Sequence, residues 1–380
     1  MRVALVHHWL LTWRGGERVL AEIASLYPEA PIYTLFGSSS GMPAGLADHR
    51  SHASLLAGGA RFREVLLPLY PLGVRTLDLR GYDLVISSDA AVVKGIRTDP
   101  GARHLCYCHA PPRYAWDFPQ QYVEAQVPAP LRPLAHAGLR WIRWYDRRAA
   151  ARVDAFATNS HAVEKRIRTH YDRSAMVIPP PAALDFFTPE PGIPREDFYL
   201  FVGQLVPYKR ADLAIEACRQ TGRRLVVVGE GPLLEDLRGR AGDGVEVVGG
   251  QSPESLRDLY RRCRALVFPG EEDFGIVPLE AMACGAPVVA LGRGGALETV
   301  VAATPEEPNN RPTGLFFREA SVASLRGALA DFENGEAFRP QDCVDRAAGF
   351  SPESFRRSFG RWVESCLQVG SIRASPAGNS

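Results

Sequence analysis

Short apolar runs alternate with amphipathic segments through both halves of the chain, which is the pattern of a parallel sheet flanked by helices. Arg2–Val6 reads as a buried strand, followed by a glycine-containing loop and a helix from about Glu17 to Leu26 that closes near Pro28. Asp83–Ser87, His104–Cys108 and Asp154–Thr158 read as further strands, and a long insertion before the last of them holds a helix over Leu131–Arg152. Ile178–Glu190 contains three consecutive prolines and follows neither period, so it reads as a linker. The alternation then restarts. Phe198–Val202, Arg224–Val228, Val245–Val248, Ala265–Phe268 and Pro287–Ala290 are predicted strands; Ala211–Cys218, Leu233–Arg238, Pro253–Arg262 and Val277–Cys284 are predicted helices. Ser351 as N-cap, Pro352 and Glu353 announce a last helix to about Leu367.

The pattern predicts an α/β protein of two Rossmann-like doubly wound domains facing a cleft. Residues 1–180 form the first, 181–367 form the second with the final helix, and 368–380 form a disordered tail. Ligands of such sheets bind beyond the carboxyl ends of the strands, so the informative residues are those in the loops that follow strands.

Composition narrows the class. The chain has 380 residues, 46% hydrophobic and 23% charged, which suits two ordinary globular cores. Seven widely spread cysteines, an odd number with no C-x-x-C pair, point away from zinc and from a disulfide scaffold and toward a cytoplasmic protein. The N-terminal apolar run is too short for a signal peptide, and no stretch approaches the roughly 20 apolar residues that span a bilayer.

Net charge is +1, but residues 1–180 carry 22 Lys+Arg against 15 Asp+Glu, a net +7, and the remainder carries 22 against 28, a net −6. The basic half suits an anionic acceptor or peripheral contact with the inner face of a membrane, and a solvated face accounts for the same charges. Within it the Leu131–Arg152 helix mixes Trp141, Trp144 and Tyr145 with Arg140, Arg143, Arg147, Arg148 and Arg152. Tryptophan with arginine suits a headgroup layer, while a helix docked by its aromatics with arginines in solvent is the simpler reading. Lysine is rare: Lys94, Lys165 and Lys209 are the only three.

The richest constellation is EEDFGIVPLEAMACGAPVVA (Glu271–Ala290), which follows the strand ALVFP and opens a helix. Glu272 lies in the loop and Glu280 on the helix. The backbone N–H groups of Phe274, Gly275, Ile276 and Val277 sit at a helix N-terminus, a ready anion site.

This stretch resembles the E-x7-E motif of the retaining glycosyltransferases of family 4, which adopt the GT-B fold. The resemblance covers nearly the whole chain and implies that Glu272 faces the donor sugar and Glu280 the nucleotide ribose. Gly15-Gly16-Glu17-Arg18 resembles the family's glycine loop, where bare backbone approaches the diphosphate. YCHAPPRYAWD (Tyr107–Asp117) is similar to the acceptor-side loop of mannosyl- and rhamnosyltransferases of surface-polysaccharide pathways, and assigns His109 to the reacting face of the sugar. GQLVPYKRADLAIEA (Gly203–Ala217) resembles the phosphate loop. Lys209 matches its lysine, Gln204 stands where many relatives have arginine, and Arg210 is the residue able to compensate. GRGGALETV (Gly292–Val300) would lie beside the phosphates.

The implied activity is retaining transfer of a hexose, mannose by the Tyr107–Asp117 resemblance, from a nucleotide diphosphate sugar to a glycan or lipid-linked acceptor. The catalytic set is His109, Glu272 and Lys209. No D-x-D pattern occurs, so no metal is expected and cationic side chains and helix ends carry the phosphate charge. No nucleic acid is expected as a partner. Rival readings are a sugar-nucleotide epimerase of the same fold and a non-catalytic nucleotide-sugar-binding protein. The sequence argues against a dehydrogenase, because no G-x-G-x-x-G follows the first strand with an acid about 20 residues on.

Overall fold

The computed structural model describes residues 1–373 apart from 12, 38–41, 43, 64, 304–310 and 336–337. It divides into two compact units, 1–181 with 355–380 and 182–354. The first holds seven parallel strands: β1 (Val3–Trp9), β2 (Ile32–Phe36), β3 (Ser51–Ala53), β4 (Leu84–Asp89), β5 (Arg103–Cys108), β6 (Ala155–Thr158) and β7 (Ala175–Val177), in the order β3-β2-β1-β4-β5-β6-β7. The second holds six: β8 (Tyr199–Val202), β9 (Leu225–Val228), β10 (Val245–Gly249), β11 (Ala265–Phe268), β12 (Val288–Leu291) and β13 (Gly314–Phe317), in the order β10-β9-β8-β11-β12-β13, again all parallel.

Each sheet has helices on both faces, which is why its central strands read as near-continuous apolar runs. Along β1 the side chains alternate, Leu5 into one core and Ala4 and Val6 into the other. Each sheet also reverses its strand order once, between β1 and β4 in the first unit and between β8 and β11 in the second. Beyond the carboxyl ends of those strand pairs is where such a sheet binds ligands.

Three expectations are corrected. The final helix, Pro352–Arg373, groups from Phe355 onward with the first unit and not the second. Its buried Phe355, Phe359, Trp362 and Val363 share a core with Leu5, Tyr107 and Ile178, and the Tyr107 ring lies 5.8 Å from that of Phe355. The helix also runs six residues past Leu367, through part of the segment expected to be disordered, and 374–380 lie outside the described residues. The first helix spans Gly15–Ser25, so the glycine pair forms its first turn and is not a loop ahead of it. Glu17 closes that turn by accepting the Arg14 backbone N–H at 3.1 Å.

Candidate active site

In the first unit the switch point is occupied by histidines. His7 of β1 pairs in register with Ser88 of β4. His7 Nδ1 lies 3.0 Å from the Ser88 carbonyl oxygen and 3.1 Å from Ser88 Oγ. A carbonyl only accepts, so Nδ1 of His7 carries the proton. Ser88 Oγ then accepts from His7 and keeps its own proton to donate. Ser88 is buried, and the remaining partner of its hydroxyl is His109 Nε2 at 2.8 Å. His109 is therefore fixed as the neutral tautomer with its free N–H at Nδ1.

Burial drives the His109 pKa down to about 3, helped by repulsion from His8 and opposed by Asp89. Burial, with repulsion from His8 and His109, likewise holds His7 well below the ordinary histidine range. Gly16 stands beside both rings; a Cβ there would lie 3.6 Å from His7 Cε1 and 3.9 Å from His109 Nε2. Asn159 donates to the His109 carbonyl at 2.9 Å and fixes the loop backbone.

Behind this cluster lies a buried charge network. Lys94 Nζ bonds Asp89 Oδ2 at 2.9 Å and Asp146 Oδ1 at 2.5 Å, with no exposed side-chain surface on any of the three. Burial pulls the Lys94 ammonium down, but Asp146 and Asp89 outweigh it and hold it well above the usual lysine range. Trp116 Nε1 and Tyr171 Oη donate to Asp146 Oδ2 at 2.8 and 2.7 Å. Trp116 of the YCHAPPRYAWD loop is thus tied into the unit's own interior, and its ring stacks on His170 at 4.5 Å.

In the second unit the loops after β8 and β11 meet. Lys209 ends a short 3-10 turn, Pro207–Lys209, and its ammonium is ion-paired with Glu272, both side chains being mostly buried. Close backbone packing makes this meeting. A Cβ on Gly270 would sit 2.8 Å from the Lys209 Cα, and one on Gly295 would sit 2.1 Å from the Phe274 Cα. Only glycine allows these approaches. The Gly295 N–H also donates to the Glu272 carbonyl at 2.9 Å, so the GRGG loop braces the glutamate's backbone.

Glu280 lies on the helix Ile276–Ala283, which starts behind Gly275. It is buried and accepts from Tyr260 Oη at 3.3 Å. Burial, with the Glu280 charge, pushes the Tyr260 phenol well above its usual range, so it stays a donor. Ile276 and Val277 offer first-turn N–H groups; Phe274 contributes backbone alone, since its ring is in the core against Phe350.

The structure thus gathers His109 with Gly16 in one unit and Lys209 with Glu272 in the other. Gly15, Gly275, Ile276 and Val277 occupy helix starts or the adjoining turn, and Glu280 lies one turn further along the Ile276–Ala283 helix. Arg210 is not gathered: its guanidinium folds onto Asp212 at 3.1 Å, at the head of the Ala211–Arg219 helix. His7, Ser88, Asp89 and Tyr260 were missed. The signal for the middle pair was legible, because LVISSDA ends an apolar strand on three polar residues.

Comparison with known proteins agrees with this architecture. Residues 13–186 match Glycosyltransferase Family 4, and residues 186–348 match Glycosyl transferases group 1. A D-inositol 3-phosphate glycosyltransferase of Mycobacteroides abscessus is 32% identical over 214 residues, 49% of this chain and 46% of that protein. A GDP-mannose-dependent alpha-(1-6)-phosphatidylinositol monomannoside mannosyltransferase of Mycolicibacterium smegmatis is 31% identical over 41% of this chain and 48% of its own length. The chain spans about half the length of the curated relatives it matches. Among solved structures, Anabaena HepE in complex with UDP-glucose superposes with a TM-score of 0.67 at 15% identity, covering 96% of this chain and 100% of that one. Sucrose-phosphate synthase of Thermosynechococcus elongatus gives 0.68 at 17% identity, covering 97% and 100%.

Proposed function

We propose a glycosyl transfer reaction for this chain, starting from its membership of the family 4 glycosyltransferases of the GT-B fold. The reaction is retaining transfer of a hexose, mannose in the first instance, from a nucleotide diphosphate sugar to a hydroxyl of a glycan or lipid-linked acceptor. One observation carries the reading: the β8 and β11 loops bring a lysine and a glutamate into contact beside a helix N-terminus whose first N–H groups are free to bind an anion.

In this reading Lys209 and the N–H groups of Ile276 and Val277 take up charge on the diphosphate as the bond from the anomeric carbon to the phosphate oxygen breaks. The acceptor oxygen forms the new bond on the same face, and its proton passes to the departing phosphate. Glu272 binds the sugar, Glu280 the ribose, and His109 presents a neutral N–H to a sugar hydroxyl. No divalent ion enters this reading, in which Lys209 and the helix N–H groups take up the phosphate charge. A cytoplasmic setting, where seven unpaired thiols persist, belongs to the same proposal.

The test is a panel of GDP-, UDP- and ADP-sugars, scored by melting temperature and by release of the nucleotide. A nucleotide diphosphate that raises the melting temperature, together with sugar transfer from the matching donor, is the expected result. Failure of every nucleotide to bind would overturn the reading.

A further inference from the structure

Helix Arg132–Ala150 of the first unit does not dock by its tryptophans. Trp141 and Trp144 are 40% and 55% exposed, and Leu134 on the same side is 73% exposed. Leu134, Gly138, Trp141, Tyr145 and Arg148 recur at helical spacing and form one stripe, and Arg152 follows just past the helix end. Two cavities open along it. Toward the helix start, a cavity of ≈ 380 Å³ is lined by aliphatic groups, among them Val65, Leu67, Leu131 and Leu134. Toward its end, one of ≈ 410 Å³ is lined by Arg75, Arg97, Arg148 and Arg152 with both tryptophans.

Among the described residues no carboxylate lines either cavity. Among the described residues none of the four arginines has an ion-pair partner. Arg152 donates to the Gly95 carbonyl, and Arg148 lies over the Trp144 ring at 5.0 Å. From Arg132 to Arg152 there are six arginines and one acid, Asp146, which is buried against Lys94.

We propose that this face docks on an anionic lipid bilayer, with headgroup phosphates entering the arginine cavity and acyl chains meeting the aliphatic one. Four forked guanidiniums without counter-charges fit phosphate oxygens. Indole rings at the border are what an interface prefers, and Val65, Leu131 and Leu134 supply apolar surface that a soluble polyanion would leave in water. The docking needs neither donor nor acceptor, so it stands or falls apart from the proposed reaction.

Flotation of the full chain with phosphatidylcholine vesicles, with and without phosphatidylglycerol, tests it. The wild-type protein binds the anionic vesicles more tightly, by about tenfold or more, and added salt weakens the binding. Arg75→Gln/Arg97→Gln/Arg148→Gln lowers affinity by about a hundredfold, roughly fivefold per arginine. Leu134→Ser/Trp144→Ser lowers it several-fold at unchanged charge. All five side chains are exposed, so the variants should melt where the wild type does, and Arg97→Gln alone gives the single-charge effect if the triple variant does not. Equal binding to neutral and anionic vesicles, or undiminished binding by the arginine variants, overturns the proposal. So does tight heparin binding that the Leu134→Ser/Trp144→Ser change leaves untouched, because the face would then serve a soluble polyanion.

Discussion

Buried histidines should make the first unit acid-labile well above the carboxylate range. His104 is buried and bonded to Ser87 Oγ at 2.8 Å, and burial lowers its pKa from the ordinary 6.5 to about 4. His109 is lowered to about 3 for the same reason. Below pH 6.5 the unfolded chain takes up a proton at each position while the folded chain does not, so stability falls as pH falls. The loss begins near pH 6.5 and continues until the folded values are reached. Between pH 7.5 and 5.0 each histidine costs about 2 kcal/mol, or about 4 kcal/mol for the pair, with the His109 share trimmed by its partial exposure.

All six tryptophans fall within the first unit, so their fluorescence in urea reports its unfolding alone. The assay is the unfolding free energy at both pH values for the wild type and for His104→Gln, which keeps a hydrogen-bonding side chain beside Ser87 but cannot titrate. The variant should lose about 2 kcal/mol less than the wild type over that interval. Equal losses would refute the argument, because they would place the titrating groups elsewhere.

Other outcomes follow from the second unit. Glu280→Gln should weaken binding of the free nucleotide diphosphate and raise apparent KM, whereas Glu272→Gln should lower kcat with that affinity nearly intact; calorimetry beside steady-state kinetics separates them. Lys209→Ala should lower turnover on the order of a hundredfold or more. It also strands Glu272, so adding Glu272→Gln should restore melting temperature without restoring turnover, and recovery of turnover would deny the lysine its role. Transfer should be unchanged in excess EDTA, and a loss reversed by magnesium or manganese would contradict the charge assignment.

The sheet cores were legible because strands buried on both faces are written as unbroken apolar runs; Ala265–Phe268 is placed in the structure as its pattern predicts. Four strands were not legible: the edge strands β3 and β7, since Ser51–Ala53 and Ala175–Val177 are too brief to show any period, and β2 and β13, whose short apolar runs are interrupted by Thr34 or led by Gly314. The final helix shows the limit of pattern reading. Phe355, Phe359, Trp362 and Val363 announce an apolar stripe, but a stripe states only that a partner exists. The partner lay across the sequence at Leu5 and Tyr107. The positions of Lys209 and Glu272 were marked by motif, while their contact depends on glycine-permitted packing of two loops that no local pattern encodes. The Lys94 network escaped for a related reason, because a lysine in sequence reads as solvated until two distant aspartates close around it.

The histidine cluster also bears on why a neutral donor suits the proposed chemistry. As the bond to the leaving diphosphate lengthens, positive charge grows on the sugar ring, and an imidazolium beside it would oppose the reaction. A neutral N–H offers a hydrogen bond without that repulsion. Burial alone would keep His109 uncharged, but it would not decide which nitrogen holds the proton. That choice is made by a chain of donors: the Ser88 carbonyl fixes the proton on His7, His7 occupies the serine oxygen, and the serine hydroxyl then occupies Nε2 of His109. Protonating His109 would need a second proton between Nε2 and Ser88 Oγ, where one already sits. The register of β1 against β4 that pairs His7 with Ser88 therefore sets the direction in which His109 donates.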